Sequence, residues 1–272
     1  MPTTAPTEPR AVEIACDESG YEGEKLVGGV TDVFAHASVR LDEQTAAACV
    51  AEIRARIKSP ATMYKAGHLL RSKQRAVLLW FLGPEGPLEG NAHVFLVDKT
   101  YFLVSGLVDF LGARSETIRF LYDAGRRSDE ARGFLEAAND FVRAADESPI
   151  PRLDPLMPAI VRAVEFWTDG GRAVAIAHDR QTTLSAGRVG RLQESTEGFV
   201  ALEQVDSFTD HRIQIADFLA GITRKMASDQ LRGADDAEVS ALLAPYLDKA
   251  SVWPAWGPPG GLAPGNIPAA AS

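Results

Sequence analysis

The chain has 272 residues, of which 46% are apolar and 24% charged, and its formal net charge is −9. These values suit one large globular domain and exclude an unspecific nucleic-acid binder that works through a global positive field, although a local basic groove is compatible with them. No apolar run reaches the roughly 18 residues of a bilayer span, so we expect no membrane partner. With two cysteines and no signal-peptide core in residues 1–10, we predict a cytoplasmic protein.

The first predicted strand, residues 12–17, sets the pattern for the rest of the chain. Its apolar residues alternate with others, which is typical of a strand with one buried face. It ends in Asp17-Glu18-Ser19-Gly20, so two adjacent carboxylates lie at the rim of a sheet. Two further apolar stretches follow after tight links, and together they predict a three-stranded meander of residues 12–17, 25–30 and 33–41.

Two more predicted strands also end in acid. Residues 93–97 run into Asp98, and residues 173–177 run through His178 into Asp179. The second of these strands is apolar on both faces, as in a central parallel strand covered by helices. Predicted helices cover residues 43–58, 71–82, 182–193, 212–228 and 235–248, a helical insertion covers 113–170, and a short extended stretch covers 199–205.

We predict one domain, residues 11–250, between a flexible arm at 1–10 and a tail at 251–272 rich in Pro, Gly and Ala. The order of elements is three meander strands, two strands each reached through helices, and a closing helix. This order predicts an α/β fold, an RNase H-like mixed sheet flanked by helices and carrying the helical insertion.

In this arrangement the strands at 12–17, 93–97 and 173–177 are parallel neighbours, about 4.8 Å apart from one to the next. Their C-terminal ends line one crevice, where ligands of open α/β sheets usually bind. Asp217, from the last long helix, could close the ring of acids. Asp is a poor helix-interior residue, so its place there calls for a metal, a basic partner or a backbone donor.

Carboxylates gathered this way repel one another and raise each other's pKa. Mg²⁺ or Mn²⁺ removes that cost and prefers oxygen ligands. Two such ions about 3.5–4 Å apart would activate water and stabilise the leaving oxygen in phosphodiester cleavage. The predicted metal ligands are Asp17, Asp98, Asp179 and Asp217.

The chain also resembles the family called domain of unknown function 3800, a prokaryotic group considered RNase H-like. The resemblance covers about residues 12–228, apart from 113–170. It implies a metal-dependent, nuclease-like site, although the family often has Glu two residues before its linker lysine and this chain has Met63. The matching motifs are Asp17-Glu18-Ser19-Gly20, Lys65, His178-Asp179-Arg180-Gln181, Asp206-Ser207 and Gln214-Ile215-Ala216-Asp217.

Each predicted ligand has an ordinary structural alternative. Asp17 can form a turn with the following Ser-Gly, and Asp98 can end a strand beside Lys99. Asp179 can cap a helix, and Asp217 can be a buried hydrogen-bond acceptor.

Five other residues complete the candidate site. Lys65 is either an electrostatic helper at a scissile phosphate or a solvated loop residue. Asp206 either orients Lys65 or a ligand, or it ends a strand. The residues predicted to support the metal ligands from outside are Glu18, Ser19, Asp206 and Gln214.

Three functional hypotheses follow. The first is a Mg²⁺- or Mn²⁺-dependent nuclease or related phosphodiesterase, with DNA or RNA as its partner. The second is a non-catalytic module of the same fold that binds a metal, a nucleotide or a protein, which net charge −9 favours a little. The third is a subunit of a defence or mobile-element system whose substrate is supplied by a partner.

Overall fold

The computed structural model describes residues 11–59, 61, 64–144, 153–168 and 171–254. The predicted arm, Met63 and all but the first four residues of the predicted tail lie outside these ranges. Within the described ranges, no helix combines the length and the apolar content that a bilayer span requires.

The core of the fold is a mixed sheet with the strand order β3-β2-β1-β4-β5. β1, β2 and β3 form an antiparallel meander, whereas β4 is parallel to β1 and β5 is parallel to β4. The predicted RNase H-like fold class is therefore confirmed. The strands are β1 (Val12–Ser19), β2 (Val33–Val39), β3 (Ala92–Asp98), β4 (Val174–Asp179) and β5 (Phe199–Val205).

The predicted strand at 25–30 is wrong, because these residues belong to the loop between β1 and β2. Gly28 adopts a φ of 72°, which is incompatible with an extended strand. The Glu22 carboxylate accepts the backbone N–H groups of Val30 at 2.8 Å and Thr31 at 2.9 Å. Backbone donors that a strand would offer to a neighbour are thus satisfied within the loop.

β3 takes the third place in the meander instead. All seven of its side chains are buried, and it pairs with β2 in antiparallel register, with Asp98 opposite Val33. The prediction that residues 93–97 are a parallel neighbour of the first strand is therefore wrong. β5 is the second parallel strand beside β4. The sequence does not reveal this role because only Phe199 of its seven residues is buried, so the segment lacks the apolar run of an inner strand.

The helices lie close to their predicted positions, except that two begin later than expected and the last one, predicted to reach residue 248, ends at Leu243. The helix predicted from 71 begins at Arg75 after a short 3-10 turn, and the one predicted from 182 begins at Ala186. The helices are α1 (Glu43–Ile57), α2 (Ala66–Leu69), α3 (Arg75–Leu82), α4 (Lys99–Phe110), α5 (Glu116–Arg127), α6 (Asp129–Ala144), α7 (Leu156–Trp167), α8 (Ala186–Ser195), α9 (His211–Leu231) and α10 (Ala237–Leu243).

Helices cover both faces of the sheet, which creates two apolar layers. On one face, α1, α3 and α9 pack against residues such as Ala15 and Ala35. On the other face, α7 packs against Ile14, Phe34 and Phe95. Since side chains alternate along a strand, neighbouring residues of β1 belong to different layers. This alternation decides which acids can meet.

The predicted insertion at 113–170 divides into two parts with different roles. α5 and α6 pack on each other, and α6 contributes Leu135 to a small separate cluster with α4. α7 instead belongs to the main domain, because Ile160, Val164 and Trp167 are buried against the sheet.

The C-terminal end of the described chain packs along β3. Val252 donates its N–H to Leu96 at 2.8 Å and accepts the N–H of Asp98 at 2.9 Å. Trp253 is 2% exposed. Residues 251–254, which their composition places in the predicted tail, thus cover the outer edge of the sheet.

Candidate functional site

Asp17 lies on the inner strand β1, on the face that α9 covers. It follows the alternation of Ala15, which is in the α9 layer, whereas Cys16 is in the α7 layer. Its side chain is 5% exposed, and its Oδ1 accepts the backbone N–H of Glu18 at 2.7 Å. No basic side chain of the described chain forms an ion pair with it.

Gly20 explains why the chain can turn directly after this acid. Its φ is +82°, and an added Cβ would lie 2.2 Å from the carbonyl oxygen of Val33. Only glycine fits a left-handed conformation at so close an approach. The Ser-Gly pair therefore ends β1 and keeps Asp17 at the rim of the sheet.

Asp179 ends β4, the parallel neighbour of β1. Cys16 and His178 are the last pair between the two strands, so Asp17 and Asp179 both follow it, on strands about 4.8 Å apart. Asp179 is the last residue of β4, whereas β1 continues beside β2 to Ser19. Ala177 packs in the α9 layer, so the strand period puts Asp179 on the same face as Asp17. The Asp179 Oδ1 accepts the backbone N–H of Ser207 at 3.2 Å.

Asp217 is brought to the same face by α9, which packs along β1 and β2. Its Oδ2 lies 3.1 Å from the Nζ of Lys65, in an ion pair whose Lys65 side chain is 52% exposed. The same buried oxygen has no hydrogen-bond donor in the described chain, because Lys65 lies outside hydrogen-bond geometry. Asp217 is therefore partly neutralised but not fully satisfied.

A glycine on α9 lets Lys65 reach Asp217. Lys65 is the residue before α2, and Ala66 packs on Gly221, one helical turn after Asp217. A Cβ on Gly221 would lie 2.5 Å from the Cβ of Ala66, closer than real contacts allow. The close approach of α2 to α9 thus depends on the absence of a side chain at this position.

The three acids influence one another electrostatically. Burial raises the pKa of Asp17 to about 9, and the negative charges of Glu18, Asp217 and Asp179 contribute to this rise. Burial also raises the pKa of Asp217, and the charge of Lys65 offsets the rise only in part. The ionised form of this group of acids is therefore costly without a cation.

The donor chemistry fits a hard divalent cation, although the side chains do not form a complete cage. No group of three or more His, Cys, Asp or Glu side chains in the described ranges is arranged so that it could hold a metal ion. Mg²⁺ is usually held by one or two carboxylates, several waters and substrate phosphates, so a full set of protein ligands is not required. Asp17 and Asp179, which directly follow the last pair between β1 and β4, supply such a pair.

Glu18 points to the opposite layer and belongs to a separate buried polar group. Its Oε1 accepts the Gln181 amide at 2.6 Å, and its Oε2 lies 3.7 Å from His178 Nε2. His178 Nε2 in turn lies 3.3 Å from His36 Nε2. Burial lowers the pKa of His36 well below its usual value, so this histidine is neutral. This buried polar group lies on the face of the sheet opposite Asp17, next to the C-terminal ends of β1 and β4.

Asp98 lies at the same end of the sheet as Asp17, at the C-terminal end of β3, but has different partners. Its Oδ1 accepts the N–H of Tyr101 at 3.0 Å, which caps α4, and its Oδ2 accepts the Tyr122 hydroxyl at 2.5 Å. Burial raises the pKa of Asp98 to about 6. β3 is separated from β1 by β2, so Asp98 is not next to Asp17 as the predicted strand order required.

The remaining predicted residues have the following neighbours. Ser19 Oγ accepts the Arg224 Nε–H at 2.9 Å. Asp206 accepts the N–H of Phe208 at 2.9 Å, which closes a turn after β5. Gln214 is 6% exposed and lies one turn before Asp217 on α9.

Sequence reasoning missed two features of the site. Gly221 carries a usable signal, because glycine inside a long helix weakens it and commonly marks a packing requirement. The contact of His36 with His178 carries no such signal, because it depends on which strands are neighbours.

Comparison with known proteins adds little to this description. No family model matches the chain, and no curated protein matches at a significant level. Among solved structures, the chain is similar to a chain of the PCNA:RNase HII complex from Archaeoglobus fulgidus, with 11% identity and a TM-score of 0.39 over 82% of this chain and 77% of that chain. Likeness at this level carries no argument, so the fold assignment rests on the strand order and pairing.

Proposed function

We propose that the protein is a divalent-metal-dependent nuclease, or a related phosphodiesterase, of RNase H-like type. The single observation that carries the proposal is the position of Asp17. This buried carboxyl group lies two residues before the end of the inner strand β1, has Asp179 and Asp217 on the same face, and has no basic partner in the described chain. A group of acids with this property is suited to a cation rather than to a protein counter-ion.

Asp17 and Asp179 would hold the metal, and Asp217 would be the third carboxylate beside it. A divalent cation bound there supplies an activated water and stabilises charge on the leaving oxygen of a phosphodiester. Asp98 remains a predicted ligand, but its bonds to Tyr101 and Tyr122 favour a structural role, and the proposal does not depend on it.

Two basic side chains next to the acids would bind the substrate. Lys65 is half exposed, so its ammonium group can contact a phosphate while it remains beside Asp217. Arg224 is held at Ser19, two residues after Asp17, and its guanidinium suits a phosphate geometry. The negative charge of the substrate would thus be balanced by residues that flank the three acids Asp17, Asp179 and Asp217, which together form the acidic rim.

Cleavage of labelled DNA and RNA in Mg²⁺ or Mn²⁺ tests the proposal. We expect Asp17→Asn and Asp179→Asn each to lower the rate by more than the roughly 10–100-fold that loss of a group behind a metal ligand costs. Asp140→Asn is the matched control, since Asp140 is an acid on α6 whose side chain is 70% exposed and pairs with Arg143. Equal rates in all four proteins would contradict the proposal.

Thermal melting with added Mn²⁺ gives a readout that does not depend on activity. A metal that binds only the folded protein raises Tm, and Asp17→Asn should remove most of that rise. A Tm that Mn²⁺ leaves unchanged in the wild type would argue against a metal at the acidic rim.

The ion pair of Lys65 with Asp217 favours a second candidate, a non-catalytic module of the same fold. It already neutralises part of the acidic charge that a second metal ion would use. Stabilisation by Mn²⁺ without cleavage of any nucleic acid would support this alternative over the nuclease.

A further inference from the structure

A second candidate site lies beyond the C-terminal end of α9, away from the acidic rim. It is a pocket of about 380 Å³ between the β1–β2 loop, α5, α6 and the end of α9. Three arginines line it, one from each helix region: Arg126, Arg132 and Arg232. The acids of its lining are Asp32 and Glu136, so its side chains carry a net charge of +1, from three arginines and two acids, in a chain whose net charge is −9.

The arginines are exposed and only partly engaged. Arg232 forms an ion pair with Asp32 at 3.2 Å and remains 62% exposed. Arg126 donates to the backbone carbonyl of Leu231 and has no carboxylate in ion-pair contact in the described chain. Arg132 has neither an ion pair nor a side-chain hydrogen bond within the described ranges. All three guanidinium groups can therefore still bind an anion.

One wall of the pocket is held rigidly by buried polar side chains. Asn139 accepts the N–H groups of Leu26 at 2.8 Å and Val27 at 3.2 Å. Glu22 accepts Lys99 Nζ at 2.9 Å, and the Lys99 side chain is only 1% exposed. A loop fixed by these bonds does not lose conformational freedom when a ligand binds, which favours binding.

The pocket and the acidic rim lie near the two ends of one side of α9, on which Gly221 and Ser228 are buried and Arg224 is half-buried. Asp217, Gly221, Arg224, Ser228 and Arg232 follow one another at spacings of three and four residues, which places them on one side of the helix. Asp217 and Arg232 are 15 residues apart, so about 22 Å separates them along the axis. A B-form strand advances 3.4 Å per nucleotide, so this length corresponds to about six nucleotides.

We infer that the arginine pocket binds backbone phosphates of a nucleic-acid strand about six nucleotides from the phosphate at the acidic rim. The inference rests on the proposed function, because it assumes a nucleic-acid substrate. Arg224, between the two sites, would contact the strand on the way. This arrangement explains how a chain of net charge −9 can hold a polyanion, since the positive side chains form a local track.

Binding of labelled oligonucleotides in EDTA, where no metal-dependent cleavage occurs, tests the inference. The probes are fluorescein-labelled DNA and RNA, single- and double-stranded, of 4 and 16 nucleotides. The variant is Arg126→Gln, Arg132→Gln and Arg232→Gln together. We expect it to bind the 16-nucleotide probe roughly tenfold or more weakly at low salt, with a salt slope reduced by about 2. The 4-nucleotide probe can occupy the pocket but cannot span both sites, so we expect the wild type to bind it more weakly than the 16-nucleotide probe and the triple variant to bind it more weakly still.

The matched control is Arg114→Gln, Arg119→Gln and Arg127→Gln, which removes three positive charges from the insertion that carries Arg126 and Arg132, without touching the pocket lining. Arg132→Gln alone is a second variant, because its side chain has no described bond whose loss would unfold the protein. Equal weakening by the control and the pocket variant, or no binding of the long probe by the wild type, would overturn the inference. If long probes bind through the pocket but Asp17→Asn leaves cleavage unchanged, the proposed function fails and the pocket stands.

Discussion

At the scale of single residues, Asp17 is the most unusual group of the described chain. A carboxyl group 5% exposed, with two acids on its own face, is normally paired with an arginine or lysine. Here burial raises its pKa to about 9, so the metal-free protein holds a proton on it at neutral pH. The residue therefore destabilises the metal-free fold as the pH rises, which is expected of a group kept for function rather than for stability.

This predicts how stability depends on pH in EDTA. Between about pH 4 and pH 9 the folded state binds a proton on Asp17 that the unfolded state, with its carboxyl pKa near 3.8, has lost, so unfolding becomes easier as the pH rises. Asp17→Asn removes this dependence. We expect the variant to be more stable than the wild type at pH 8 by at least about 1 kcal/mol, or roughly 2–4 °C in Tm.

The measurement is thermal or urea unfolding of both proteins from pH 4 to pH 9. The difference between them should grow with pH and be smallest near pH 4, where the carboxyl is protonated in both states. A constant difference over this range would show that the Asp17 carboxyl titrates normally.

At the scale of elements, α9 organises the candidate site. It carries Asp217, supports Arg224 beside Ser19, and accepts Ala66 of α2 against Gly221. Glycine is costly inside a helix, by roughly 1 kcal/mol relative to alanine. The contact with Ala66 explains why glycine stands at this position despite the cost. It brings α2 close to α9, so that Lys65 Nζ lies within 3.1 Å of Asp217.

Gly221→Ala tests this dependence. The added methyl group would meet Ala66 at 2.5 Å, so α2 must move away and the pair of Lys65 with Asp217 should weaken. We expect overpacking to destabilise the fold by about 1–3 kcal/mol, which exceeds the gain in helix propensity. We also expect Gly221→Ala to lower the cleavage rate, as Lys65→Met should, because both changes weaken the pair of Lys65 with Asp217.

Gly190→Ala on α8 is the control, because an added Cβ there meets nothing within 4 Å. That variant should be as stable as the wild type or more stable, by up to about 1 kcal/mol. If Gly221→Ala were equally stabilising and fully active, the close approach of α2 would not matter for the site.

At the scale of the whole molecule, the C-terminal segment completes the sheet. Residues 251–254 bond to β3 on the side that no other strand covers, and Trp253 is among the largest fully buried side chains. An uncovered edge strand exposes unpaired backbone groups and invites association with other chains. The segment therefore protects the edge and fills the core at the same time.

Truncation tests where the folded domain ends. A chain that stops at residue 250 loses Trp253 and the bonds to β3, whereas a chain that stops at residue 256 retains both. We expect the shorter chain to be less stable by about 3–5 kcal/mol, the cost of removing a large buried aromatic side chain, and to aggregate more readily. Equal Tm values for the two chains would show that the segment contributes nothing to the fold.

Local patterns in the sequence were sufficient for much of the fold. The alternation in β1, the apolar run of β4 and the periodicity of α1 and α9 each depend on residues within a few positions of one another, so they could be recognised without a structure. The prediction that acids end the strands follows from the same local patterns. It is confirmed for Asp98 and Asp179, which are the last residues of β3 and β4, whereas β1 continues two residues beyond Asp17.

Strand partners and side-chain partners were decided only by the tertiary structure. Residues 25–30 look extended, but Glu22 and Asn139 accept hydrogen bonds from their backbone N–H groups. The partner of β2 is instead β3, which begins 53 residues after β2 ends. Because of that pairing, β2 separates Asp98 from Asp17, whereas the predicted strand order made them neighbours. The sequence by itself determined most of the strands and helices and which strands carry an acid near their C-terminal end, because those properties depend on near neighbours. The order of strands, the approach of Lys65 to Asp217 and the arginine pocket depend on contacts between distant segments, and only the folded chain decides them.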